Sequence, residues 1–230
     1  MKLRKLFESE GIKPVPDATT TWLRMHRPSV AFLLCIGSGP WRIERRTLIQ
    51  TKALDILGNR DLTELRVREV DAMFPLSWQR VYVLAAISYC RLTKKIWKKM
   101  KSSSRCGFDQ LFEIKDTKDE SERAVVHDRL IRLRWITKGK SILGQVHNRH
   151  SIDLPKVLGM YVRDFIQEDS FPVDRHVRKW LKEHNLPTKQ VDLLGLFHAE
   201  KLKARYYARA LFLGKAKNPV HAPTRKGLKR

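Results

Sequence analysis

Two short stretches hold the residue types that could do chemistry. In the first, Phe171-Pro172-Val173-Asp174-Arg175-His176-Val177, an Asp stands immediately before an amphipathic pattern. Val177, Trp180, Leu181 and His184 fall on one face of that pattern, and Arg175, Arg178, Lys179 and Lys182 on the other. In the second, Leu154-Pro155-Lys156-Val157-Leu158-Gly159-Met160, a Pro and a Gly lie between two helical patterns. A tight turn at such a place can turn backbone N–H groups toward an anion such as phosphate. A carboxylate at a helix start has two uses. It caps the helix, which is worth about 1 kcal/mol, or it acts on a substrate as a base or as a stabiliser of developing positive charge. One Asp can do both.

Other constellations carry less. The eight histidines include His147 and His150, spaced to share a helix face, with no Cys or carboxylate close by at ligand spacing. A surface or phosphate-contacting role is expected for them, and no metal or cofactor is expected. Three widely spaced cysteines, Cys35, Cys90 and Cys106, form no CxxC and no even-numbered framework, which fits a reducing, intracellular setting. Gly37-Ser38-Gly39-Pro40 lacks the Lys-Ser/Thr of a P-loop. Trp78, Trp97, Trp135 and Trp180 sit at helical spacing among apolar neighbours and read as core. Trp41, directly after the Gly-Ser-Gly-Pro loop, is the one chosen as a wall or wedge against a flat ligand.

The charge narrows the partner. Of 230 residues, 47 are Lys or Arg and 24 are Asp or Glu, a formal net charge of +23. Hydrophobic residues make up 42%, so the chain can bury a core and is not a disordered basic tail. The longest apolar run, 30–36, is too short to span a membrane, and the N-terminal residues lack the apolar core of a signal peptide. An excess of this size points to nucleic acid, whose binding releases condensed counterions. The positive charge is also clustered. Residues 91–105 hold seven basic residues and no acid, with Leu92, Ile96 and Met100 on one helical face and Lys94 and Lys98 turned away from it. Residues 214–230 add six basic residues, no acid and two prolines, and read as a flexible basic tail.

The elements that would position Asp174 are helices. The apolar period predicts helices over 28–36, 41–57, 62–73, 78–101, 108–115 and 121–135, then 141–149, 157–168, 175–184 and 189–212. No alternating strand stands out, and no period of 20–50 residues repeats. The polar stretch 101–120 reads as an insertion or linker.

A hairpin of the type Leu-Pro-Gly-Val-Gly, then a helix, then Val-Asp-x-His-Val, is the signature of the helix–hairpin–helix DNA glycosylases, the endonuclease III–like superfamily. Val173 to Arg178 resembles the second half of it closely, and Leu154, Pro155 and Val157 resemble the hairpin. The resemblance extends weakly over about 28–212. It implies a mostly α, two-lobed glycosylase-like unit with a DNA-binding cleft between the lobes. Residues 28–57 and 152–213 with the N-terminus would form one lobe, and 58–151 the other. It implies excision of a damaged or mispaired base flipped out of duplex DNA. Asp174 would be the catalytic carboxylate. Leu154, Pro155, Lys156, Val157 and Gly159 would grip the backbone, with Arg175, His176, Lys179, Lys94 and Lys98 beside it. Trp41 and Met160 would border the base pocket.

The departures are specific. Lys156 and Leu158 stand where the family has glycines, and Gly159 comes one position later. Members that also cleave the strand use a Lys where Met160 stands here, so a water nucleophile is expected. Lys156 and Lys140 are the amines that could replace that Lys if the hairpin register differs. The other reading is a non-enzymatic helix–hairpin–helix protein that holds DNA or RNA by the same basic surfaces. Either reading expects an intracellular, DNA-associated chain, in cytoplasm and nucleoid or in a nucleus, and with no long heptad a monomer.

Overall fold

The computed structural model describes residues 3–17, 22–39, 41–99 and 107–217, with the side chains of 22, 97–99 and 212–217 left aside. Helix makes up 67% of it and no strand occurs among the described residues, so the fold is all-α. Among the described residues eleven α-helices follow one another: α1 Leu3–Ser9, α2 Pro28–Gly37, α3 Ile43–Leu57, α4 Val67–Met73, α5 Ser77–Lys99, α6 Phe108–Phe112, α7 Glu120–Ile136, α8 Lys156–Tyr161, α9 Arg175–Glu183, α10 Gln190–Ala199 and α11 Ala204–Lys217. Among the described residues no helix is long and apolar enough to cross a membrane.

The buried side chains fall into two clusters. The first runs from Leu23 to Ile166 and is built around α2. Pro28 at the first turn suits a helix start, where its missing N–H is not needed. Nine of the ten α2 residues are buried, as expected of a helix that is apolar all round. It packs on α3, α5, α6 and α8. The second cluster joins α1 to the residues after 170: Leu3, Leu6 and Phe7 pack with Phe171, Trp180, Leu181, Phe197 and Tyr207. Residues 28–57 therefore share a core with 58–166, not with 171–211. The reason is that α2 has apolar side chains on every side and can only sit at the centre of a cluster.

Several helix assignments change. Residues 141–148 are turns, bends and irregular chain, followed by a 3-10 turn at Arg149–Ser151. Arg132 donates to the carbonyls of Ile142 and Gly144, and the guanidinium holds this loop against α7. Residues 189–212 divide into α10 and α11, because Lys201 takes a left-handed φ of 55°. The stretch 101–120 is not wholly a linker: Phe108, Leu111 and Phe112 of α6 are buried in the first cluster, while 101–106 lie outside the described residues. Residues 214–217 belong to α11, and 218–230 lie outside the described residues.

One segment carries the chain from the first cluster to the second. After α8 the helix widens into a π-turn over Val162–Ile166. Gln167 then turns left-handed, with φ 62°. Residues 167–172 are buried, and α9 opens at Asp174. Gly159 fixes how closely α8 approaches this segment. A Cβ there would lie 3.1 Å from Ser170 Oγ and 3.3 Å from Gln190 Oε1. Charge ties the same junction. Asp17 accepts from Arg205 at 2.7 Å and from Arg209 at 2.5 Å, and Arg209 also donates to the Arg163 carbonyl at 2.6 Å. Burial raises the Asp17 carboxyl, but the two guanidinium groups outweigh it and hold the acid below its ordinary range.

Candidate active-site cleft

Asp174 is the N-cap of α9. Its Oδ1 accepts from the Val177 N–H at 2.8 Å. The helix follows because Val177, Trp180 and Leu181 have a core to enter, while Arg175, His176, Arg178 and Lys179 stay exposed. The cap leaves the second oxygen for other work. Asp174 Oδ2 lies 3.4 Å from Lys156 Nζ, the first residue of α8. Both side chains are partly exposed, at 22% and 31%. Burial raises the Asp174 carboxyl, but the Val177 N–H and the Lys156 charge outweigh it and hold it below the usual carboxylate range. The acid is therefore ionised at neutral pH.

This ion pair opens into a cavity of about 870 Å³. Five parts of the fold line it. Ser38 and Gly39 come from the end of α2, and Trp41, Arg42 and Arg46 from the following loop and α3. Trp78 and Tyr82 come from α5, Pro155 to Val157 from the start of α8, and Asp174 to His176 from the start of α9. The volume lies in the range of small-molecule sites. Its walls join three aromatic side chains to Arg42, Arg46, Lys156 and Arg175, against one carboxylate. Such a lining suits a flat, anionic ligand.

Trp41 is held in this wall from both sides. The Arg45 guanidinium lies 4.3 Å from its ring centre. A Cβ on Gly39 would fall 2.6 Å from Trp41 Nε1, so only glycine fits beneath the indole. Trp78 and Tyr82 meet edge to face at 6.3 Å, and Arg134 donates to the Tyr82 hydroxyl at 2.7 Å.

The residues named from sequence divide in three. Asp174, Lys156, Pro155, Val157, Arg175, His176 and Trp41 meet at the cavity. Leu154 and Gly159 are buried, and Gly159 serves the close packing of α8 rather than an open turn. Met160 packs at the edge of the first cluster and does not line the cavity. Lys140 is exposed in the turn after α7 and also lies outside the lining. Lys179 points to solvent near Glu183, at 3.7 Å, and Lys94 is exposed on α5. The Lys98 side chain lies outside the described residues. Sequence reading missed Tyr82, Arg42 and Arg46, and placed Trp78 in the core. Their only signal was nearness to Trp41 or helical spacing on α5.

A second, smaller cavity of about 370 Å³ is lined in part by Arg149, His150, Glu168, Asp169, His198 and Arg205. His127 lies beneath it, with its Nδ1 2.5 Å from Glu168 Oε2. Burial raises the Glu168 carboxyl, but His127 and Arg149 outweigh it and hold it below the ordinary range. Burial and the neighbouring His127 hold His150 below its ordinary range.

Comparison with protein-family models, with curated proteins and with solved structures gives no match. The resemblance to helix–hairpin–helix glycosylases therefore rests on the motif from 154 to 178.

Proposed function

We propose that the chain is a DNA N-glycosylase that excises a damaged or mispaired base. The observation that carries this reading is the Asp174–Lys156 pair, which faces a base-accommodating cavity walled by Trp41, Trp78 and Tyr82. Excision needs those parts. A base taken out of the stack needs apolar or aromatic walls. As the glycosidic bond breaks, positive charge grows on the sugar, and an ionised Asp174 stabilises it. The cationic lining attracts the flanking phosphates, and the net charge of +23 supplies long-range attraction to the duplex. In this reading the two hydrophobic clusters are the two lobes, and DNA lies across the cleft between them.

Two nucleophiles compete. Water activated by Asp174 gives a simple glycosylase. The position of Lys156 offers the amine route: Asp174 first takes a proton from the Lys156 ammonium, the freed Nζ lone pair adds to C1′, and the base leaves with the glycosidic electron pair and is protonated by water. That route ends in strand cleavage.

The test is strand scission on duplex oligonucleotides, each carrying one lesion, with and without hot alkali. Wild type, Asp174→Asn and Lys156→Gln are run together. Cleavage in wild type and its loss in Asp174→Asn, with duplex binding kept, is the expected result. Scission without alkali and borohydride trapping, both lost in Lys156→Gln, would select the amine. Salt-sensitive binding with no excision of any lesion would make this a non-enzymatic DNA-binding protein.

A further inference from the structure

The second cavity has features that base excision does not use. Its lining holds five Lys or Arg side chains, Arg123, Arg149, Lys201, Lys203 and Arg205, against three carboxylates. The carboxylates are already answered. Glu168 lies between His127 and Arg149, Asp169 faces Arg205 and His198, and Glu120 lies 3.5 Å from Arg123. Among the described residues Lys201 and Lys203 form no ion pair. Arg123 and Arg149 each keep a buried Nε–H with no hydrogen-bond partner. The wall is therefore short of acceptors, not of donors.

The backbone at Lys201 points the same way. After α10 the Lys201 N–H donates to the His198 carbonyl at 3.0 Å, and the Leu202 N–H to that of Phe197 at 2.8 Å. A helix end closed by these two bonds needs one left-handed residue, and glycine is the stable choice for it. Here Lys201 holds that place, with φ 55°. A β-carbon in this conformation is strained. What lysine brings in return is an ammonium at the cavity.

We propose that this cavity binds one phosphate group. Phosphate brings the negative charge and the acceptor oxygens that the lining lacks, and lysine and arginine are the side chains that take it. The volume of about 370 Å³ leaves room beside the phosphate for an attached sugar. Glu168 and Asp169 repel an anion, but both are buried and paired, whereas Lys201 and Lys203 are exposed and unpaired. The lysines therefore dominate the field that a ligand meets. A DNA backbone phosphate and a free phosphate or 5′-nucleotide offer the same chemistry. The lining shares no residue with the cavity at Asp174, so a backbone phosphate here is a second grip on the duplex, outside that cleft.

The experiment uses the full chain and inorganic phosphate as probe, added at constant ionic strength, with the backbone amide NMR shifts of residues 201–205 as readout. In wild type these shifts should saturate with one midpoint. In Lys203→Gln the midpoint should rise at least about tenfold, while exposed Lys52→Gln stays like wild type. Lys201→Gly should also raise the midpoint, yet raise the melting temperature without phosphate, because glycine relaxes the turn. Equal midpoints in wild type and Lys203→Gln would overturn the proposal, and so would an absence of shifts at 201–205. Duplex DNA then names the source. If a backbone phosphate fills the site, Lys203→Gln lowers the slope of log affinity against log salt by about one. If the ligand is a free phosphate, that slope stays as in wild type. No readout here involves excision, so the site stands or falls apart from the glycosylase reading.

Discussion

Glu168 and Asp174 stand six residues apart on one connecting segment, and they enter two different cavities. Each is ionised, and each has a cationic partner. They differ in what holds them. Glu168 is 7% exposed and clamped between a buried imidazole and a guanidinium. Asp174 gives one oxygen to a helix start and keeps the other beside a partly exposed lysine in a large cavity. The first carboxylate is tied in on all sides, so its removal leaves buried groups uncompensated. The second is positioned by a cap and otherwise open to a ligand. The same side-chain chemistry thus does structural work in one place and is available for reaction in the other.

The largest test of this contrast is a pair of truncations. Asp174→Ala is expected to lower excision by about 10³-fold and stability by only about 1 kcal/mol. Single-turnover assays and denaturant melts separate the two. Glu168→Ala should do the reverse. It leaves His127 and Arg149 without their anion, a loss of about 3–5 kcal/mol, with excision kept at temperatures where the fold persists. If the two variants destabilise equally, the contrast fails.

Trp41→Ala tests the wall of the open cavity. It should cut excision about tenfold or more, a base-stacking loss of about 1–3 kcal/mol, with a smaller change in melting temperature. Equal losses in both would make Trp41 a core residue.

The smallest effect is in acid. Glu168, Asp174 and Asp17 all titrate below their ordinary ranges. Each therefore adds stability that is complete above the unfolded carboxylate range and is lost as pH falls through the folded value. The part of the melting temperature that these three acids supply should be flat from neutral pH to about pH 5 and then fall. Glu168→Gln should make that fall shallower. An unchanged slope would mean that Glu168 does not contribute to the acid transition.

The helices and the carboxylate that caps α9 could be read from sequence, for different reasons. Long amphipathic stretches such as α5 and α9 announce themselves by period, and Asp174 by its neighbours on both sides. Residues 141–149 misled because Ile142, Leu143 and Val146 have helical spacing, yet Gly139 and Gly144 make turns of them. The break between α10 and α11 depends on a left-handed Lys201, a residue type that gives no warning of it. The second cavity was invisible because its lining comes from separate segments. Residue spacing detects a site only when one helix or one turn holds it.

The second cluster also sets an order of events during synthesis. The first cluster uses one continuous run, Leu23 to Ile166, so it can pack as that run leaves the ribosome. Phe7 has its partners at Trp180, Phe197 and Tyr207, about 200 residues later. At the usual 5–20 residues per second, α1 waits roughly 10–40 s with its apolar face uncovered. Its short length keeps that exposed face to three buried side chains, Leu3, Leu6 and Phe7. The nascent chain thus carries a small adhesive patch until Trp180, Phe197 and Tyr207 emerge, and the Asp174 side of the cleft is added after the first cluster is able to pack.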